Sequence, residues 1–287
     1  MDRKTWAGIM LLVISALCIS IFLSGDRKGS KPVKGPPYQR IVSLSSTTEI
    51  LCDLGAVDKI IGIGGVSKKS PYYEILKDKP QIGGGFHNLN IERILGLKPD
   101  LVFCWKAHAD VLKSRDLNVY PTGPYDIEGI MELIKDVGKF VGKEKEAEKT
   151  IFDMKTKINK IEEKLKNAGS QPLVYFEAGT LGKSRAKGSL THDLITRAGG
   201  INLAKDEPVP FPLLSSECII EKNPDIIIVE EYGAPVEEIK ARRAWQNIKA
   251  IKNNRVYQSP VYYTNYTPRC LEGLEQYAKW FHPEVFK

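Results

Sequence analysis

The feature that most constrains this chain of 287 residues is an echo of itself. The segment Glu92-Arg93-Ile94-Leu95-Gly96-Leu97-Lys98-Pro99-Asp100-Leu101-Val102 aligns without a gap on Glu217-Cys218-Ile219-Ile220-Glu221-Lys222-Asn223-Pro224-Asp225-Ile226-Ile227. Glutamate, isoleucine, proline and aspartate coincide, and the other apolar positions largely agree. Each copy reads as a short helix, a Pro-Asp turn and a buried strand. Local rules alone favour a glutamate near a helix N-terminus, where the helix dipole stabilises negative charge. A duplicated lobe explains more, because it places Glu92 and Glu217 at equivalent outer positions related by a pseudo-twofold axis. Two carboxylates displayed in this way suit a two-subunit partner that offers a cation to each.

Between the copies runs a long amphipathic stretch. From Glu144 to Ala168 the apolar stripe is Ala147, Ile151, Met154, Ile158, Ile161, Leu165 and Ala168, in steps of four and three, with no Gly or Pro before Gly169. The spacing predicts one helix of about 25 residues, roughly 37 Å long, that lies on a support along its whole length. Fewer than four heptads argue against a coiled coil, so a strut joining two lobes is the better reading. On either side, strands alternate with helices. Apolar runs at 40–44, 59–64 and 101–104 precede the strut, and runs at 173–176 and 226–229 follow it. That rhythm implies parallel sheets. The expected fold is therefore α/β, with two small lobes of mostly parallel sheet joined by one long helix. The expected divisions are an N-terminal membrane anchor or signal segment (1–25), a Lys/Gly/Pro linker (26–37), a first lobe (38–142), the inter-lobe helix (143–168) and a second lobe (169–287).

The N-terminal segment is apolar and uncharged from Trp6 to Leu23, long enough to span a membrane core. Leu17 before Cys18 is too bulky for a lipoprotein cleavage site, and no A-x-A-like triplet follows, so an uncleaved anchor is favoured over a cleaved signal. Arg27, Lys28, Lys31 and Lys34 after the run outnumber Arg3 and Lys4 before it. The positive-inside rule taken alone would place the globular part in the cytoplasm. The family resemblance given below overrides it.

Composition excludes several functions. The net charge of +7 comes from basic residues interleaved with acidic ones, with no basic arm or RNA-binding motif, so no nucleic-acid partner is expected. The five cysteines form no CxxC pair, which speaks against a zinc site or a disulfide scaffold, and Cys52, Cys104 and Cys218, in apolar runs, are read as small buried hydrophobes. With only four histidines, a site for naked metal is not expected, and His87 and His108 are not taken as metal ligands. There is no P-loop, HExxH or GxSxG, and Gly62-Ile63-Gly64-Gly65 lacks the spacing of a dinucleotide fingerprint. No catalytic residue and no resident cofactor are assigned. The alternatives are an enzyme processing a chelate or tetrapyrrole on a related fold, and a membrane-anchored interaction protein.

Nearly everything after Tyr38 resembles the helical-backbone class of metal-chelate binding proteins, which includes the vitamin B12-binding and ferric-siderophore-binding proteins. The resemblance is carried by Arg40-Ile41-Val42-Ser43-Leu44-Ser45 with Glu49, and by Asn90-Ile91-Glu92-Arg93-Ile94 leading to Lys98-Pro99-Asp100. Pro210-Phe211-Pro212 leading to Ser216-Glu217, and the ending around Pro268-Arg269 and Ala278-Lys279-Trp280, carry it further. It implies an extracytoplasmic binding protein of an ABC importer that captures a corrinoid, iron–siderophore or haem in the cleft between two lobes. Its partners would be a permease dimer with its ATPase subunits, with arginines of the permease receiving Glu92 and Glu217. The resemblance places Phe86, Trp105, Phe211 and Tyr262 at the ligand, where flat aromatics bury a macrocycle at small entropic cost. Tyr263, Tyr266 and Arg269 add polar contacts there, and Arg185 or Lys187 would meet an anionic chelate.

Overall fold

Both copies of the repeated segment fold alike in the computed structural model, which describes residue 35 and residues 37–83, 89–123 and 125–286. The helices are Ile91–Leu97 and Ser216–Lys222. Asn90 caps the first by accepting the Arg93 amide at 3.0 Å, and Ser215 caps the second by accepting the Cys218 amide at 3.1 Å. Each ends on a residue in left-handed backbone, Lys98 and Asn223, both at φ 49°, followed at once by the proline that cannot continue a helix. The aspartate of each turn then splices two strands together. Asp100 accepts the amides of Gln39 and Arg40 at 2.8 and 3.0 Å, and Asp225 accepts the Leu173 amide at 2.9 Å.

The strands so joined build two sheets of one topology. The first comprises β1 (Ile41–Ser43), β2 (Ile60–Ile63), β3 (Leu101–Trp105) and β4 (Val119–Thr122), in the order β2-β1-β3-β4. The second comprises β5 (Leu173–Glu177), β6 (Ile201–Asn202), β7 (Ile226–Glu230) and β8 (Val256–Ser259), in the order β6-β5-β7-β8. All pairings between these strands are parallel, with Val42 opposite Val102 and Tyr175 opposite Ile227 in the central pairs. Helices cover both faces, so the central strands bury nearly every residue and read as unbroken apolar runs. Each lobe has its own core, around Val42, Ile94 and Val102 in the first and around Tyr175, Ile227 and Trp245 in the second.

One long helix, Glu144–Leu165, joins the lobes. Its 22 residues make it about 33 Å long, shorter than the spacing predicts because the last turn opens before Ala168. Ala147, Met154, Ile158 and Ile161 are buried, whereas Ile151, Leu165 and Ala168 are half-buried. A second long helix, Ile127–Val141, precedes it and buries Ile130, Ile134 and Val137. Arg197 pins the junction, reaching Glu162 at 3.1 Å and Asp193 at 3.0 Å and also pairing with Glu128. Asp193 in turn accepts the amide of Ile127 at 2.9 Å. Cys52, Cys104 and Cys270 are buried free thiols, and burial pushes each up to about 12, so they act as inert apolar groups; Cys218, also free, is half-buried. The segment read as an anchor, residues 6–23, lies outside the described residues; among those described, no helix is long and apolar enough to cross a membrane.

Candidate ligand-binding site

In open parallel sheets, ligands bind beyond the carboxyl ends of the strands, and here the two sheets turn those ends toward one cleft. Two cavities occupy it. The larger, about 360 Å³, is walled mainly by the segments after β1 and β2, which bring Ser45, Ser46, Ser67 and, from the helix Thr47–Asp53, Glu49, and is closed from the second lobe by Asn265 and Thr267. The other, about 300 Å³, is walled mainly by the second lobe through Arg185, Phe211, Glu230, Val261, Thr264 and Tyr266. Ser46, Trp105 and Asn265 line both, so the cavities meet there. Trp105 is the last residue of β3 and packs edge-on against Tyr266 from the other lobe, with centroids 5.9 Å apart. Tyr125 meets the same tyrosine at 5.6 Å. Gly123, at φ 64°, makes room for this contact: a Cβ there would stand 3.1 Å from the indole and 3.2 Å from the Tyr266 ring.

A crossed pair of backbone segments presents the second lobe's contribution. Ser184 and Ala186 amides donate to the Pro212 and Pro210 carbonyls at 2.9 Å each, and the Leu214 amide donates to Gly182 at 2.8 Å. Gly182 is at φ 80°, and a Cβ on it would lie 2.2 Å from the Leu214 carbonyl oxygen, so only glycine allows this pairing. The result carries Arg185 and Phe211 into the cavity together, with the guanidinium 5.3 Å from the ring centroid and 3.8 Å from Glu230.

Of the residues singled out in the sequence, Trp105, Phe211, Tyr266 and Arg185 therefore share the cleft. Phe86 and His87 lie outside the described residues. Tyr262, Tyr263 and Arg269, also assigned to the ligand, do not line either cavity. They sit at a 3₁₀ turn, Val261–Thr264, in which residues three apart face the same way. Val261 and Thr264 point into the cavity, and the two tyrosines between them turn to the protein instead. Arg269 lies 3.9 Å over the Tyr262 ring, while Tyr263 packs on Gly273 of the helix Cys270–Phe281. Burial pushes the Tyr263 phenol up to about 12. Lys187 is likewise elsewhere, in a polar hollow with His192 and Asn202. Arg185 is in place but its charge is already met by Glu230. Glu230, Asn265 and the serines at 45, 46 and 67 carry no motif that marks them in the sequence. What could have marked them is position, since Glu230 ends β7 and the others lie in the segments that follow β1, β2 and β8. Glu92 and Glu217 are exposed, each in the first turn of its helix.

Two further contacts cross between the lobes. Lys69 pairs with Glu231, whose second oxygen accepts the Val261 amide at 3.0 Å. Glu49 accepts the Ser70 hydroxyl at 2.9 Å, and Arg269 approaches it to 3.9 Å. Behind Glu49, Asp53 is half-buried against the Tyr72 hydroxyl, and burial pushes its carboxyl up to about 6.

Two lobes of identical parallel topology, one connecting helix and an aromatic cleft between the strand ends are the architecture of a two-lobed solute-binding protein. The model of the periplasmic binding protein family matches residues 41–263, and the chain belongs to that family. It is 28% identical over 272 residues to YvrC of Bacillus subtilis, an uncharacterised ABC transporter substrate-binding lipoprotein, covering 89% of this chain and 83% of that one. It is 27% identical over 279 residues to a vitamin B12-binding protein of Vibrio cholerae, covering 93% and 96%. The fold is shared with the solved CeuE protein of Helicobacter pylori, with a TM-score of 0.79 at 24% identity over 88% of this chain and 85% of that one.

Proposed function

We propose that this protein is the substrate-binding component of an ABC importer and that its cargo is a metal chelate of corrinoid, iron–siderophore or haem type. The observation that carries the reading is the cleft itself. Trp105, Tyr266 and Phe211 offer flat apolar surface from both lobes at the strand ends, as a rigid, largely apolar ligand requires. The names of the relatives in Bacillus and Vibrio support it. On this reading the loaded protein docks on a permease dimer through Glu92 and Glu217, one on each lobe, and the stiff helix Glu144–Leu165 and the Arg197 node keep the lobes nearly fixed until the transporter spreads them.

The test is titration of purified protein with cobinamide, cobalamin, haem and several ferric siderophores, followed by tryptophan fluorescence. Trp105 lines both cavities while Trp245 is buried in the second lobe's core, so quenching by the cargo should fall in Trp105→Phe. No response to any member of the panel would sink the chelate reading. Docking is tested separately: Glu92→Ala with Glu217→Ala should leave capture unchanged and abolish uptake in cells, and weakened capture would show that these residues serve the ligand instead.

A further inference from the structure

The loop that carries Arg185 into the second cavity is held from behind by hydrogen bonds that end on a histidine outside the cleft. Asn202, on β6 and 2% exposed, donates from Nδ2 to the Arg185 carbonyl at 2.7 Å. Its Oδ1 accepts the Ala204 amide at 3.0 Å, which fixes the orientation of the side chain. The same Nδ2 then faces Nδ1 of His192 at 3.1 Å. An NH₂ group can only donate, so Nδ1 must offer its lone pair and the ring proton must sit on Nε2. Ser189 closes the loop beside this pair, accepting the His192 amide at 3.3 Å and donating to the Ala186 carbonyl at 2.7 Å. The helix that starts here, Leu190–Arg197, stands between two spaces. Ser189, Leu190 and Thr191 line the ligand cavity with Arg185, while His192 lines the outer polar hollow.

Protonation of the ring is incompatible with this arrangement. With hydrogens on both nitrogens, Nδ1 faces another donor, and two donors cannot bond. Turning the Asn202 amide over would meet the imidazolium, but it would set NH₂ against the Ala204 amide and oxygen against the Arg185 carbonyl. The surroundings do not rescue the charged form. Lys187 from the loop and Lys205 from the segment after β6 border the same hollow, and Asp206 there pairs with Lys205 at 2.8 Å. Asp193, next on the helix, is engaged by Arg197 at 3.0 Å and by the Ile127 amide at 2.9 Å. Burial outweighs the pull of Asp193 and holds the imidazole below its usual range. The neutral ring, and with it the held loop, therefore persists at neutral pH and is lost as pH falls.

We propose that His192 and Asn202 are positioning residues for the Arg185 loop, and that protonation of His192 at Nδ1 frees this loop and weakens capture of cargo in acid. The effect on capture rests on the cleft being the cargo site, as read above, whereas the effect on the loop does not.

Hydrogen exchange of the intact protein tests the loop without any ligand. Read by mass spectrometry and corrected for the intrinsic rate, exchange across residues 183–190 should quicken about threefold to tenfold between about pH 7.5 and about pH 4.5, the worth of one hydrogen bond, while β7 in the same lobe holds steady. The midpoint should coincide with the titration of His192 followed by imidazole NMR. Asp53→Asn, which removes a carboxyl that burial raises to about 6, should leave the response intact. His192→Asn keeps an acceptor for Asn202 that cannot be protonated and should flatten it. Should that variant fail to fold in melting curves, the midpoint comparison in the unaltered protein decides. A loop unmoved by acid, a midpoint away from that of His192, or equal loosening in His192→Asn would overturn the proposal. Cyanocobalamin and a neutral ferric trihydroxamate carry no group that titrates in this range, and the affinity of whichever binds, followed by tryptophan quenching, should fall in acid by the same factor. Loosening with unchanged affinity would overturn the link to capture. Binding of neither at any pH, with the loosening in place, would count against the cargo reading and leave the control of the loop standing.

Discussion

Removing Arg242 should unfold the second lobe far more readily than any surface change. Its guanidinium donates from both terminal nitrogens to Glu177, at 2.7 Å each, and the carboxylate is wholly buried at the end of β5. The Tyr175 hydroxyl donates to the same carboxylate at 3.1 Å and accepts the Gly182 amide at 3.1 Å. Arg242→Leu would strand a buried anion with one remaining donor, at a cost of about 3–5 kcal/mol. Replacing both partners, Arg242→Leu with Glu177→Leu, removes the anion as well and should cost less than the single change, because a well-packed apolar pair can match a buried ion pair. Urea unfolding followed by Trp245 emission reports on this lobe, since that indole is buried and lies 4.4 Å beneath the Arg242 guanidinium. A loss under about 1 kcal/mol in the single variant, or additive losses in the double, would refute the claim that the pair holds its place by mutual need. The loop that carries Arg185 hangs on the same network through Gly182, so the single variant should also weaken capture.

Two other outcomes follow from local geometry. Asp53 has its carboxyl raised to about 6 by burial, so the folded state binds the proton more tightly than the unfolded chain and stability falls as pH rises from about 4 to about 6. Asp53→Asn should therefore add about 1–2 kcal/mol at pH 7.5 and almost nothing at pH 4; thermal melts at both values check this, and an equal gain at both would exclude titration as the cause. Lys98 and Asn223 share φ 49°, but asparagine tolerates that backbone and lysine does not, so Lys98→Gly should stabilise by about 0.5–1 kcal/mol while Asn223→Gly changes little. Identical effects in denaturant titrations would count against the strain argument.

Much of the architecture is legible because its signals are local. Asn90 and Ser215 as caps, Pro99 and Pro224 as stops, and apolar runs in β3 and β7 can each be read within a dozen residues. The helix Ile127–Val141 has the same kind of stripe, with Asp126 as its cap and Gly142 at its end. The site is less legible. Trp105 and Phe211 stand out as aromatics beside strand ends or prolines. Ser45, Ser46 and Asn265 do not, because small polar residues are common in any loop. Where Tyr262 and Tyr263 face is not legible either: a 3₁₀ turn sends neighbouring side chains about 120° apart, so adjacency in sequence to the cavity-lining Val261 says nothing about facing the cavity.

By itself the sequence determined the paired helix–turn–strand units, the parallel sheets they imply and the stiff connecting helix, since caps, prolines and apolar periodicity act over a few residues. Tertiary structure alone decided which side chains meet in the cleft. Glu49 comes to share a cavity with Thr267, and Trp105 to touch Tyr266, only once the lobes are set by the helix between them. Such meetings depend on the summed directions of many backbone bonds, and no short stretch of chain contains that sum.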